Sequence, residues 1–167
     1  MTRSNAREIA VHFVFELSFS SDSAQQLLDC AMTRQTFELL GQEEPLYAEF
    51  PNVKQREYIS TLVRGVEEHQ EELDGYISKY AIGWNIKRLP RVVVAVLRVC
   101  MYEILYMQDV PNAAAINEAV ELTKGYEEPE LVGYVNGILG SFVRSEPLPE
   151  IPAAPVPADT FSEDEDQ

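Results

Sequence analysis

The chain has 167 residues, 46% apolar and 10% aromatic, with 13 lysines and arginines against 28 aspartates and glutamates. The formal charge of −15 excludes a uniformly basic nucleic-acid coat but not a local basic patch, because screening confines surface fields to roughly 10 Å at moderate salt. No apolar run approaches the ~20 residues of a membrane span, no signal-peptide core follows the start, and two cysteines without a CxxC spacing support neither a disulfide framework nor a zinc cluster; the expected compartment is the cytoplasm.

Apolar residues at helical spacing (Ala6, Ile9, Ala10, Phe13 and Leu17) predict a first helix over 3–19. A second is predicted over 24–40, capped by Ser23 and closed by Gly41, followed by a loop over 41–51 with two prolines. Asn52 caps the next predicted helix, whose pattern (Tyr58, Ile59, Leu62, Val63, Val66) runs past Gly65, a candidate kink, into a further stripe of Leu73, Tyr76, Ile77 and Tyr80. After Gly83-Trp84, Pro90 suits the first turn of a helix, and the stretch from Val92 to Leu105 holds only Arg98 and Glu103 as charges. A helix apolar on nearly all sides belongs at the centre of a bundle. The break at Asp109-Val110-Pro111-Asn112 precedes a helix over 113–125, and the last helix starts near Pro129 and buries Leu131, Val135, Ile138, Leu139 and Phe142. No alternating strands of useful length occur. The predicted fold is all-α, about seven helices over residues 1–145.

From Glu146 onward the composition changes. Five of the ten prolines and seven acidic residues lie there, with no basic one, leaving a net −8 on residues 1–145. Such a segment cannot bury enough apolar area to offset its ordering entropy, so 146–167 is expected to be a disordered acidic tail. Solubility, or no role at all, is its favoured reading over competition with RNA for basic residues.

Signals of catalysis are absent: there is no Gly-rich phosphate loop, no HExxH and no nucleophile elbow, and His12 and His69 lack partner spacing. Glu121 and Lys124 can pair across a helical turn. Two places suit a nucleic acid better. Arg3 and Arg7, spaced by four, continue through Val11 to Phe15, a line turned about 200° from the stripe of Ile9, Phe13 and Leu17. Cations running into an aromatic can neutralise phosphates and stack an unpaired base, although packing of Phe15 beneath another helix is the favoured alternative on spacing alone. The other place is Lys87-Arg88-Leu89-Pro90-Arg91, where cations ahead of a helix oppose its dipole; an anionic partner and acids of the same chain explain them equally well.

Two motifs carry a resemblance. Ile116-Asn117-Glu118-Ala119-Val120-Glu121-Leu122-Thr123-Lys124 resembles the INEAVELAK signature of the NusB transcription antitermination family, and Tyr134-Val135-Asn136-Gly137-Ile138-Leu139 its FVNGxL motif. Ala6-Arg7-Glu8, Leu97-Arg98 with Tyr102-Glu103-Ile104-Leu105, and the Val110-Pro111 break agree, so the likeness spans about residues 3–144. It implies two helical sub-bundles and a non-enzymatic factor without a cofactor. That factor pairs with the small ribosomal subunit protein NusE and binds the single-stranded boxA element of ribosomal RNA transcripts. With other Nus factors it acts on RNA polymerase.

By position, the resemblance implies Arg3, Arg7, Phe15, Lys124, Glu130 and Tyr134 as RNA-binding residues. For the partner protein it implies Trp84, Lys87, Arg88, Arg91, Val93 and Asn112. With only two arginines in the first helix, weak RNA binding by the chain alone is expected, the basic partner supplying charge. Asn117 and Asn136 are expected to satisfy backbone groups at the helix junction, and Gly137 to allow close packing. A protein-only scaffold or chaperone-like partner of a ribosomal protein is the alternative, and a remnant of a ribosomal RNA methyltransferase a remote third. Self-association is a further family property that the sequence leaves open.

Overall fold

In the computed structural model, which describes residues 1–149, helix α6 (Arg91–Tyr106) is the element around which the others gather. Eleven of its sixteen residues are buried, from Val93 to Ile104 with only Arg98 half-exposed. Helices α1 (Arg3–Leu17), α2 (Ala24–Ala31), α3 (Arg34–Leu40) and α4 (Val53–Glu68) form one group, in which α1 lies against both α4 and α6. Helices α5 (Gln70–Tyr80), α7 (Asn112–Lys124) and α8 (Pro129–Ser145) form the other, with α7 against α8 and all three on α6. The two sub-bundles therefore share α6 as a common wall. Among the described residues there are eight α-helices and no strand.

The additional helix comes from a break in the second predicted element. At Met32 the chain leaves the helical region, and Thr33 restarts it by accepting a hydrogen bond from the Thr36 backbone N–H. A threonine cap does here what a glycine or proline usually announces. The kink expected at Gly65 lies instead at His69, between α4 and α5, where the imidazole stacks on Tyr106 at 4.3 Å. Gly65 serves close packing instead. A Cβ there would run into the Tyr102 ring, so only a bare backbone lets α4 cross α6 at this point. Gly65→Ala is expected to lower unfolding stability in urea by about 1–3 kcal/mol, the cost of overpacking a filled core. The close approach expected at Gly137 is not there, since that glycine is exposed and faces open space.

The start of the acidic tail belongs to the body. Glu146 accepts hydrogen bonds from Lys79 Nζ and the Tyr80 hydroxyl at the end of α5, and Leu148 packs against the core. The remainder of the segment expected to be disordered, from residue 150, lies outside the described residues. No helix is long and apolar enough to cross a membrane among the described residues.

Candidate nucleic-acid interface

Helix α1 does not present the cationic line that its spacing predicts. Arg7 is only 3% exposed and its guanidinium grips Glu103 of α6 through two hydrogen bonds, at 2.6 and 3.1 Å. Tyr58 of α4 donates its hydroxyl to the same carboxylate at 2.8 Å, and Glu118 of α7 lies 3.3 Å from the third guanidinium nitrogen. Burial opposes the Arg7 charge, but Glu103 outweighs it and keeps the guanidinium protonated; burial and the same carboxylate push the Tyr58 phenol well up. Val11, next on the line, is buried as well. The 200° argument fails because α1 lies between two helices and so buries two faces rather than one. Arg3, at the outer end, binds Asp109 at 2.8 Å and lies over the Tyr58 ring. Arg7 therefore belongs to the core, and Arg3 is held by a carboxylate of its own chain.

Phe15 is a different case. It is 36% exposed at the end of α1, and its ring meets that of Phe19, 64% exposed, edge to face at 5.0 Å. The cation that joins these rings comes from α6: Arg91 places its guanidinium 4.5 Å from the Phe19 ring centre and donates to the Ser18 carbonyl. Phe15, Phe19, Arg91, Val92 and Tyr126 line one groove between α1, the start of α6 and the α7–α8 turn. The packing of Phe15 beneath another helix, favoured on spacing alone, is not found. Phe19 and Tyr126 carried no sequence signal of their own, although Phe19 stands four residues beyond Phe15.

Below the groove a hydrogen-bonded chain ties α1 to the α7–α8 turn. Glu8 can only accept, so the Tyr126 hydroxyl donates to it at 2.7 Å and in turn accepts from His12 Nε2. The other ring nitrogen, Nδ1, then accepts from the Tyr47 hydroxyl at 2.8 Å, which requires the neutral imidazole. Burial holds the His12 pKa below its ordinary 6.5, against the pull of Glu8 and Glu44. The unfolded chain takes up this proton more readily, so stability is full above about pH 6.5 and falls as the pH drops toward the folded value. The melting temperature should decline from pH 7 to 5.5 less steeply in His12→Gln, whose amide does not titrate, than in the parent.

The remaining candidates divide between two places. Lys124 pairs with Glu121 at 2.7 Å, as their spacing predicts, and Glu130 is exposed in the first turn of α8; both flank Tyr126 in sequence. Tyr134 lies instead beside Trp84, with ring centres 5.7 Å apart and its hydroxyl bonded to the Ile82 carbonyl. Trp84 and Ile82 are exposed, flanking Gly83, whose φ of 83° suits a residue without a Cβ. Lys87 and Arg88 follow in a 3-10 turn, exposed, their side chains making no hydrogen bond or ion pair with any described residue. Same-chain acids among the described residues thus do not account for these two cations. Val93 is fully buried in α6 and cannot touch a partner. Asn112, expected to be exposed, is half-buried with its side-chain oxygen enclosed and without a partner. Asn117 and Asn136 are exposed and make no side-chain hydrogen bond to a described residue, so the junction role expected of them is not found.

The profile of the NusB family matches residues 4–144. The chain belongs to the NusB family. It is 38% identical to the transcription antitermination protein NusB of Acetivibrio thermocellus, over 86% of this chain and 90% of that one, and 37% identical to that of Symbiobacterium thermophilum over the same shares. The NusB structure from T. maritima superposes with a TM-score of 0.62 at 26% identity, covering 87% of this chain and 93% of that one. A chain in a crystal structure of a plectonemic RNA supercoil gives a TM-score of 0.67 at 25% identity, covering 85% and 94%.

Proposed function

We propose that this NusB-family transcription antitermination protein holds single-stranded boxA-type RNA across the Phe15–Phe19–Arg91–Tyr126 groove and acts together with NusE. The observation that carries the reading is the pair of exposed rings with an arginine stacked on one of them. Unpaired bases stack on aromatic and guanidinium planes, and a neighbouring cation neutralises phosphate. Lys124 and Glu130 extend this surface as secondary contacts, whereas Arg3, at the opposite end of α1 and held by Asp109, does not reach it. Lys87, Arg88, Trp84 and Tyr134 form a separate corner suited to the partner protein, with Arg91 at the joint between the two.

Few cations are available, so affinity of the chain alone is expected to be weak and only shallowly dependent on salt. Neutralising two or three single-strand phosphates corresponds to a slope of about −1.4 to −2 in log K against log salt. A fluorescence-anisotropy titration of a boxA oligoribonucleotide, with and without NusE and beside a scrambled sequence, tests the proposal. Tighter binding of boxA than of the scrambled strand, strengthened by NusE, is the expected result; equal binding of both with NusE present would overturn it. Retention of NusE binding without any RNA preference would favour the protein-only scaffold instead.

A further inference from the structure

A cavity of about 460 Å3 adjoins the aromatic groove, and Arg91 is the residue that lines both. It uses the sides of α1 and α6 that the groove leaves free. Arg91, Val94, Ala95 and Arg98 follow one another at helical spacing along α6, Val14 and Ser18 close it from α1, and Asp74 of α5 and the 86–89 turn complete the wall. Such a volume falls within the roughly 300–1,000 Å3 of small-ligand pockets.

The floor is apolar and the walls are polar. Val14, Val94 and Ala95 are buried side chains, whereas Lys87, Arg91 and Arg98 bring three positive charges against the single carboxylate of Asp74. In a body of net −8 this is a local reversal of sign. Arg98 commits two nitrogens to that carboxylate, Nε donating at 2.8 Å and Nη2 at 2.9 Å. Its Nη1 has no acceptor among the described residues, and each Asp74 oxygen accepts one hydrogen bond where it has room for two. The pair therefore sets spare donors and acceptors side by side at the cavity. Arg91 gives one nitrogen to the Ser18 carbonyl and is otherwise exposed.

Resting on the RNA reading of the groove, we infer that one nucleotide of the bound strand turns aside at Arg91 and seats its base in this cavity. The base lies on the apolar floor, its edge meets the Asp74–Arg98 pair, and its phosphate stays at Arg91. An unpaired base is free to leave its neighbours and present that edge. An acidic peptide side chain fits less well, since its carboxylate would be brought against Asp74 and its short stem would leave the floor uncovered. The cavity thus makes one position of the RNA selective for its base. Stacking on Phe15 and Phe19 does not supply that selectivity, because every base has a π-face.

Anisotropy titrations of boxA oligoribonucleotides lacking one base at a time test this, with NusE present, against the parent, Phe15→Ala and Ala95→Leu. Circular dichroism and NusE binding of each variant are measured alongside. In the parent, loss of the seated base should weaken binding about five- to 150-fold, as should loss of the base stacked on Phe15. Phe15→Ala should abolish the sensitivity of the second position alone, and Ala95→Leu, which fills the floor, that of the first alone. Replacing the seated base should change affinity by at least about fivefold between best and worst, the discrimination of a paired donor and acceptor, and Asp74→Asn should alter the order of preference. Asp74 lies at the surface, so this variant decides the matter even if Ala95→Leu does not fold. An unaltered order in Asp74→Asn, or a folded Ala95→Leu with the parent's sensitivity at every position, would overturn the inference. If Phe15→Ala still weakens binding in that case, the groove reading stands and only the seated base falls. Loss of NusE binding by Ala95→Leu with its RNA sensitivities intact would give the cavity to the partner protein and overturn the inference as well.

Discussion

Replacing Glu103 by alanine should lower the unfolding free energy by about 3–5 kcal/mol, the largest loss expected from any single substitution in this chain. The carboxylate is 1% exposed and takes both hydrogen bonds from Arg7 and one from Tyr58. Its removal strands a guanidinium in the core with only the longer contact to Glu118 left, and an uncompensated buried charge is far more costly than the pair it came from is favourable. The triple variant Arg7→Met, Tyr58→Phe, Glu103→Met removes every polar member of the contact and should recover most of the loss. Urea denaturation of the parent and the two variants separates the two effects. A cost under 1 kcal/mol for Glu103→Ala would mean that the cluster does not hold α1 against α6.

For RNA, Phe15→Ala is expected to have the greatest consequence. Stacking of one base on an aromatic side chain contributes about 1–3 kcal/mol, so the dissociation constant for a boxA oligonucleotide with NusE present should rise about five- to 150-fold. Phe15→Tyr keeps the plane and should stay near the parent. Arg91→Ala should weaken binding and also flatten the salt slope, since it removes a charge together with the guanidinium that stacks on Phe19. Anisotropy titrations at two salt concentrations distinguish the variants, and circular dichroism confirms that each remains folded. Binding by Phe15→Ala within twofold of the parent would remove the aromatic groove from consideration.

Helix type and order were readable because apolar spacing is a local property, and α6 declared its central position through fourteen residues with only two charges. The break at Met32–Thr33 was not readable, since threonine fits inside a helix as well as before one. The site was half legible. Spacing alone favoured burial of Phe15 beneath another helix, and only the family resemblance put its ring at the surface where it lies, while Arg7 could not be told from a surface arginine. Its burial depends on Glu103, 96 residues away, and no periodicity along α1 reports a carboxylate on another helix. Arg91 reached the groove for the same reason in reverse: two elements far apart in sequence bring a cation to rings that neither spacing pattern links. Val93 shows the opposite error, a core position drawn into a partner surface by its exposed neighbours.

The clasp between Arg7 and Glu103 also bears on how quickly a ligand can engage. Helix α1 is bolted to α6 at one end and, through Glu8, His12 and Tyr126, to the α7–α8 turn in its middle. The rings at its far end therefore stand on a rigid platform before any encounter. A strand docking there finds a ready-made seat, so the conformational cost falls on the strand alone. Stiffening the oligonucleotide, rather than the protein, is the change that should slow its departure.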